Sequence, residues 1–269
     1  MKKENELAKS LNKVFSGLVI PVAFVAACLI FWFIFGNGVN FKGGNHDNMP
    51  IDGNILGIIF KGGYIVPLLM TLLITVIAFT IERFFTISRA TGRGSVVKFV
   101  QNIRSLLNQN KVKEASELCD RQKGSVANVI KAGLIKYLDV EKVPDMAKDQ
   151  KLVAIQKEVE EATTLELPSL EANLVILATI SSIATLMGLL GTVLGMIKAF
   201  SALAAAGAPD SATLSTGISE ALINTAFGIG TAALAIIFYN VFTTKIDKLT
   251  YAIDEAGFTI SQTYAANHN

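Results

Sequence analysis

Four long stretches without charged residues constrain this chain more than any other feature of its sequence. They cover residues 14–35, 62–81, 172–197 and 221–244. A transmembrane helix needs about 20 consecutive apolar residues with few or no charges, and each stretch meets that requirement. Soluble proteins rarely contain four such runs. The sequence therefore predicts an all-α, polytopic protein whose four transmembrane helices lie in a lipid bilayer.

The distribution of Lys and Arg predicts the topology, because basic residues are retained on the cytoplasmic side of a membrane. Residues 1–13 carry four of them, residues 83–168 carry fifteen and residues 243–269 carry two. The loop 36–61 carries two and the loop 199–213 carries none. We therefore expect a multi-pass protein of the bacterial inner membrane with both termini cytoplasmic and cytosolic helical extensions.

The first span is interpreted as a retained helix, and the two cysteines as free thiols. The apolar run continues through seven residues after Cys28, which favours a retained helix over a cleaved signal sequence. Cys28 is then in the membrane and Cys119 in the cytoplasm, so we expect two free thiols.

The segment 83–168 shows helical periodicity without any strand pattern. Its apolar positions form successive helix faces, with breaks at 108–110, 123–124 and 143–144. From residue 149 onward, one amphipathic stripe leads toward the third span, and Pro168 is expected as a kink or boundary. The members of that stripe are Leu152, Ile155, Val159, Ala162 and Leu165.

The polar residues of the chain do not form any arrangement typical of catalysis. The sequence has no phosphate-binding glycine loop, no paired cysteines and no combination of nucleophile and base. His46 and the adjacent Asp47 supply too few ligands to bind a metal ion. We therefore expect no enzyme activity, no cofactor, no metal site and no nucleic-acid partner.

The last two spans differ from the first two because they are rich in small and hydroxyl residues. Gly191 and Gly195 form a GxxxG pair, which lets membrane helices approach closely. Such faces predict helix packing at four glycines, and the hydroxyls can also bond to the preceding helical turn. The packing glycines are Gly188, Gly191, Gly195 and Gly228, and they share helix faces with Thr185, Thr192, Ala221, Thr225 and Ala232.

Glu220 does not fit the packing explanation, because an ionisable group within a span costs about 2.5–3.5 kcal/mol and normally faces a cavity or partner. A functional role and an interfacial position both stay open. The first three spans contain no internal carboxylate, His or Lys. If this chain conducts protons, a partner must supply the titrating group deep in the bilayer.

Two long motifs resemble one known family. Residues 177–200 contain GLLGTVLGM, which is similar to the GLLGTVxGM signature of the ExbB/TolQ/MotA proton-channel family. Residues 217–240, GISEALINTAFGIGTAALAIIFYN, resemble that family's second signature. The resemblance covers residues 62–245, and ExbB is the most similar type.

The resemblance implies a function and a set of partners. It implies a homopentamer of this chain around two copies of an ExbD-like single-span protein with a transmembrane Asp. Thr192 and Thr225 match the family's pore threonines and Glu220 matches its motif glutamate. Proton flow would then drive mechanical work on the outer membrane through a TonB-like protein.

The chain departs from the family pattern in two places. Leu234 stands where the family usually has proline, and the first span is additional to the common three-span plan. We expect three parts: residues 1–61 with the additional span, a channel domain at 62–245 and a cytoplasmic tail at 246–269.

Four other functions stay open. A TolQ-type envelope subunit and a motility stator share the mechanism but differ in partner, and the short cytosolic segment argues against the stator. A self-sufficient secondary transporter usually shows internal repeats and broken helices, and neither is visible here. A passive scaffold would make Glu220 and the threonines packing residues.

Overall fold

The computed structural model describes residues 17–205 and 211–268, and this part of the chain is helical. No strand occurs within those ranges, where Phe41 and Pro50 form one isolated bridge. The helices are α1 (Gly17–Phe35), α2 (Ile55–Phe60), α3 (Ile65–Thr91), α4 (Val96–Asn108), α5 (Val112–Gln122), α6 (Gly124–Glu141), α7 (Lys148–Glu171), α8 (Leu174–Ala205) and α9 (Ser211–Asn267).

The structure confirms four helical stretches long and apolar enough to cross a membrane. They contain α1, α3, α8 and α9, in agreement with the four uncharged runs. As expected, α3 continues beyond Glu82 and ends at Thr91. Helix α9 runs without interruption for 57 residues, through Leu234 and through the segment that the sequence suggested as a tail. The chain is thus a multi-pass, all-α membrane protein.

The chain divides into two compact units, of which the first contains residues 17–81 and 175–239. Its core joins α1 to α2 and α3, because Ala27 and Phe31 of α1 pack against Val66 and Met70 of α3. The Phe31 ring stacks on Phe60, with 4.7 Å between centroids.

The outer faces of α1 stay apolar and exposed, as suits contact with lipid. The exposed residues include Leu18, Val22, Val25, Leu29, Trp32 and Phe33.

The second unit contains residues 82–174 and 240–268, and its core is formed by α4 to α7 and the last part of α9. Helix α4 is capped by Ser95, whose hydroxyl accepts a hydrogen bond from the Lys98 N–H at 3.5 Å. Buried residues recur along α9 every three or four positions, as one face of a helix requires. They are Phe242, Ile246, Leu249, Ile253, Ala256, Ile260 and Tyr264.

A fully buried guanidinium, that of Arg83, caps the end of α7 inside the second unit. Its Nη1 donates to the carbonyls of Ser169 at 3.3 Å and Leu170 at 3.1 Å. Its Nη2 pairs with Glu82, which also accepts from Asn173 Nδ2 at 3.4 Å. The last carbonyls of a helix have no partner within it, so Arg83 supplies donors and a favourable positive charge.

The structure adds two details to the prediction for α7: Pro168 is not the boundary of the helix, and Leu165 is exposed. The helix continues through Pro168 and ends at Glu171. Two residues later, Asn173 takes a left-handed φ of 64°. The boundary follows the position of Arg83 because that side chain satisfies the terminal carbonyls. Leu165 is 74% exposed, since a face with 3.6 residues per turn advances from Ile155 to Leu170 and passes beside Leu165.

The Cys119 thiol should be inert in the folded protein. Burial, and secondly the nearby Asp120, raise its pKa from 9.0 to about 12. The thiolate fraction at neutral pH is then about a thousandfold lower than for an ordinary thiol. In a Cys28→Ser background, we expect no maleimide labelling of Cys119 at pH 7.5 until the protein is unfolded.

The same shift has a consequence at high pH. Because the folded state holds this proton more tightly, its stabilising contribution is complete below pH 9 and is lost as pH rises toward 12. Rapid labelling of the native protein at pH 7.5 would contradict the buried position.

Candidate functional site

Helices α8 and α9 pack through small residues within the first unit. Gly188 faces Gly228, and Gly195 lies against Ala221 and Gly217, so that a side chain on any of these glycines would meet the opposite backbone. Ala199 continues the same line against Gly217. Close approach of this kind brings backbone carbonyls and short side chains of the two helices together.

Two threonines meet across this helix pair. The hydroxyls of Thr192 on α8 and Thr225 on α9 are in contact, and either can donate. Thr192 Oγ1 also lies 3.2 Å from the Gly188 carbonyl and 3.4 Å from that of Ala221. Thr225 Oγ1 donates to the Ala221 carbonyl at 3.2 Å. Since a hydroxyl both donates and accepts, this half-buried group of oxygens can pass a proton or contact a small cation.

Glu220 lies at the end of the helix pair that is nearest to the turn 61–63. Its Oε2 accepts from Lys198 Nζ at 2.9 Å, and its side chain is 13% exposed. Its Oε1 lies against Gly63, whose φ of 75° is a conformation that favours glycine. The carboxylate is therefore enclosed by α8 on one side and by the turn on the other.

Asn224, one helical turn from Glu220, is completely buried. Its Nδ2 donates to the Gly62 carbonyl at 2.9 Å, and its side chain packs against Gly191. Asn224 thereby ties the turn 61–63 to α9. Asn224 and Thr225 are consecutive residues of α9, so their side chains leave the helix in directions about 100° apart.

The structure brings most of the residues singled out from the sequence to one helix pair. Gly188, Gly191, Gly195 and Gly228 are buried between α8 and α9, and Thr192 and Thr225 are half-buried beside them. Thr185, which was expected on the same face, is exposed. The roles of these residues in an ion pathway stay predictions. Within residues 17–205 and 211–268, no group of His, Cys, Asp or Glu is placed to hold a metal ion.

Sequence reasoning missed Lys198. It was treated as the residue that ends the third uncharged run, just as Glu220 was treated as the start of the fourth. The available signal was their opposite charge, because consecutive antiparallel helices joined by a short loop bring such boundary residues together.

Comparison with known proteins gives one family. Residues 122–255 match the MotA/TolQ/ExbB proton channel family. The Tol-Pal system protein TolQ of Pseudomonas aeruginosa is 34% identical over 124 residues, which cover 46% of this chain and 54% of that protein. The chain thus matches about half the length of this relative.

Two further relatives are similar over longer segments. TolQ of Haemophilus influenzae is 27% identical over 207 residues, which cover 75% of this chain and 89% of that protein. The biopolymer transport protein ExbB of Pseudomonas putida is 31% identical over 165 residues, which cover 57% of this chain and 46% of that protein. The segment that matches the family, residues 122–255, includes Thr192, Thr225 and Glu220.

Proposed function

Since this chain belongs to the MotA/TolQ/ExbB proton channel family through residues 122–255, we propose that it is the channel-forming subunit of an inner-membrane motor. The motor converts proton-motive force into mechanical work on the outer membrane. The chain acts as a transport protein without enzyme activity, cofactor or bound metal, and both of its termini face the cytoplasm.

The observation that carries this proposal is the contact between the hydroxyls of Thr192 and Thr225. It provides a pair of hydroxyls between two transmembrane helices, and Glu220 lies one to two turns away on α9. Conduction through these oxygens needs a titrating group that the first three spans lack. A partner helix with a transmembrane Asp would supply it, as in an ExbD-like single-span protein beside a homopentamer of this chain.

The work done by this motor depends on its partner. Our leading assignment is an ExbB-type subunit that energises uptake through a TonB-like protein. A TolQ-type role in envelope maintenance is the second candidate, and the similarity to Haemophilus influenzae TolQ over 75% of this chain favours it. The two assignments share the same pathway residues.

Gentle purification from native membranes and intact-complex mass measurement test the proposal. We expect five copies of this chain with two copies of a small single-span protein that carries an Asp in its apolar segment. The periplasmic domain of that protein would distinguish the ExbB-type from the TolQ-type role. A chain that never retains such a partner would favour a scaffold or an independent carrier.

The variant Glu220→Gln should lower proton flux through the reconstituted complex at least about tenfold, whereas Glu220→Asp should keep most of it. Glutamine keeps the shape but loses the negative charge that attracts cations at the mouth of the pathway. Proton entry into vesicles, followed with an internal pH-sensitive dye, measures both variants. Full flux in both would make Glu220 an interfacial residue.

A further inference from the structure

At one end of the α8–α9 pair, the Glu220 carboxylate already forms an ion pair with Lys198. Lys198 Nζ lies 2.9 Å from Glu220 Oε2, and the exposed fractions of the two side chains are 61% and 13%. The other oxygen, Oε1, lies against Gly63. A cation that approaches Glu220 from solvent therefore meets Lys198 first, because the turn closes the opposite side.

The turn that closes this side is fixed in place. Asn224 holds the Gly62 carbonyl from one side. On the other side, Lys61 Nζ donates to the Asp47 carbonyl at 3.0 Å. Since both ends of the turn are anchored, the more exposed Lys198 is the part of this enclosure that can move away.

The charges around Glu220 are few. Burial lowers the pKa of Lys61, Asp47 opposes that change, and the positive charge of Lys198 lowers the pKa further. Lys61 is bonded on the Asp47 side, so Lys198 is the cation that makes the direct contact with Glu220. Lys42 is paired with Asp52 at 2.8 Å and has its own partner.

We propose that Lys198 is a specificity-determining residue of the pathway: its ammonium occupies the Glu220 carboxylate, and the driving cation must displace it to bind there. This inference rests on the proposed channel function. Lys198 lowers the apparent affinity of the pathway mouth for the driving ion, because two cations compete for one carboxylate.

Ion flux at graded concentrations tests this competition. The full chain, purified with the partners it retains, is reconstituted in vesicles, and proton entry is followed with an internal dye. Replacing Lys198 by Met keeps the length of the side chain and removes its charge. We expect the proton concentration at half-maximal flux to fall about two- to fivefold, the range expected for loss of a partly exposed ion pair.

Three further variants complete the experiment. Lys198→Gln should behave like Lys198→Met. If one of these variants fails to fold, the other still tests the loss of the charge. Lys198→Arg should stay near wild type, because it keeps the charge. Lys42→Met is the matched control, since it removes another Lys–carboxylate pair near the same turn without touching Glu220.

The outcomes separate this inference from the proposed function. Wild-type flux with an unchanged half-maximal concentration in Lys198→Met and Lys198→Gln would overturn the role of Lys198 and leave the channel intact. The same change in Lys42→Met would also overturn it, because the effect would then be one of surface charge. Absence of any ion flux in the wild-type complex would overturn the proposed function and this inference together.

Discussion

Replacing Thr225 by Val should abolish proton flux while the complex still assembles. Valine keeps nearly the same shape but removes the hydroxyl that contacts Thr192 and donates to the Ala221 carbonyl. A pathway built from hydroxyl oxygens would then lose one of its two central groups. We expect flux to fall about a hundredfold or more, the size seen when one well-placed polar group is removed from a reacting centre. Dye-monitored proton entry measures it, and intact-complex mass verifies assembly.

Thr71→Val is the matched control for this experiment. Thr71 is a buried threonine of the first unit, and its hydroxyl donates to the Pro67 carbonyl of its own helix at 2.7 Å. Its loss should leave flux near the wild-type value. Thr225→Ser should retain flux because it keeps the hydroxyl. Normal flux in Thr225→Val would remove Thr225 from the pathway.

The largest loss of stability is expected when Arg83 is replaced by Met. The substitution leaves the Glu82 carboxylate, which is 13% exposed, without its ion-pair partner, and it leaves the carbonyls of Ser169 and Leu170 without donors. Breaking a buried ion pair on one side costs about 3–5 kcal/mol. The midpoint of thermal unfolding in detergent should fall markedly, and the change should be seen at the end of α7.

Two comparisons make the Arg83 result specific. Lys142→Met removes an exposed pair with Asp139 at 3.1 Å and should cost less than about 1 kcal/mol. Adding Glu82→Gln to Arg83→Met should recover part of the loss, because no unpaired charge then stays buried. Equal stability of Arg83→Met and the wild type would show that the guanidinium does not support the end of α7.

The parts of the fold that depend on local sequence could be predicted. Four charge-free runs gave four apolar helices because each run alone satisfies the length that a bilayer requires. The breaks after Asn108, Gln122 and Glu141 also followed from neighbouring residues. In the same way, the spacing of Gly188, Thr192 and Gly195 indicated a shared helix face.

Contacts between residues distant in the sequence could not be predicted in this way. Arg83 and Leu170 are far apart along the chain, and no periodicity indicates that one caps the other. The same holds for the bond between Asn224 and Gly62, and for Lys198, whose charge was read as the end of a run. The continuity of α9 past Lys245 was not part of the prediction, which described the segment 246–269 only as a cytoplasmic tail.

The close contact of α8 and α9 sets a limit on how this protein can evolve. Where Gly188 meets Gly228, neither residue can gain a methyl group unless the opposite backbone withdraws. Gly230, only two positions further, has open space around it. Substitutions at Gly188 and Gly228 are therefore coupled, whereas a substitution at Gly230 is independent of the other helix. At the positions in contact, a larger residue on one helix needs a compensating change on the other, so the two contact surfaces must change together.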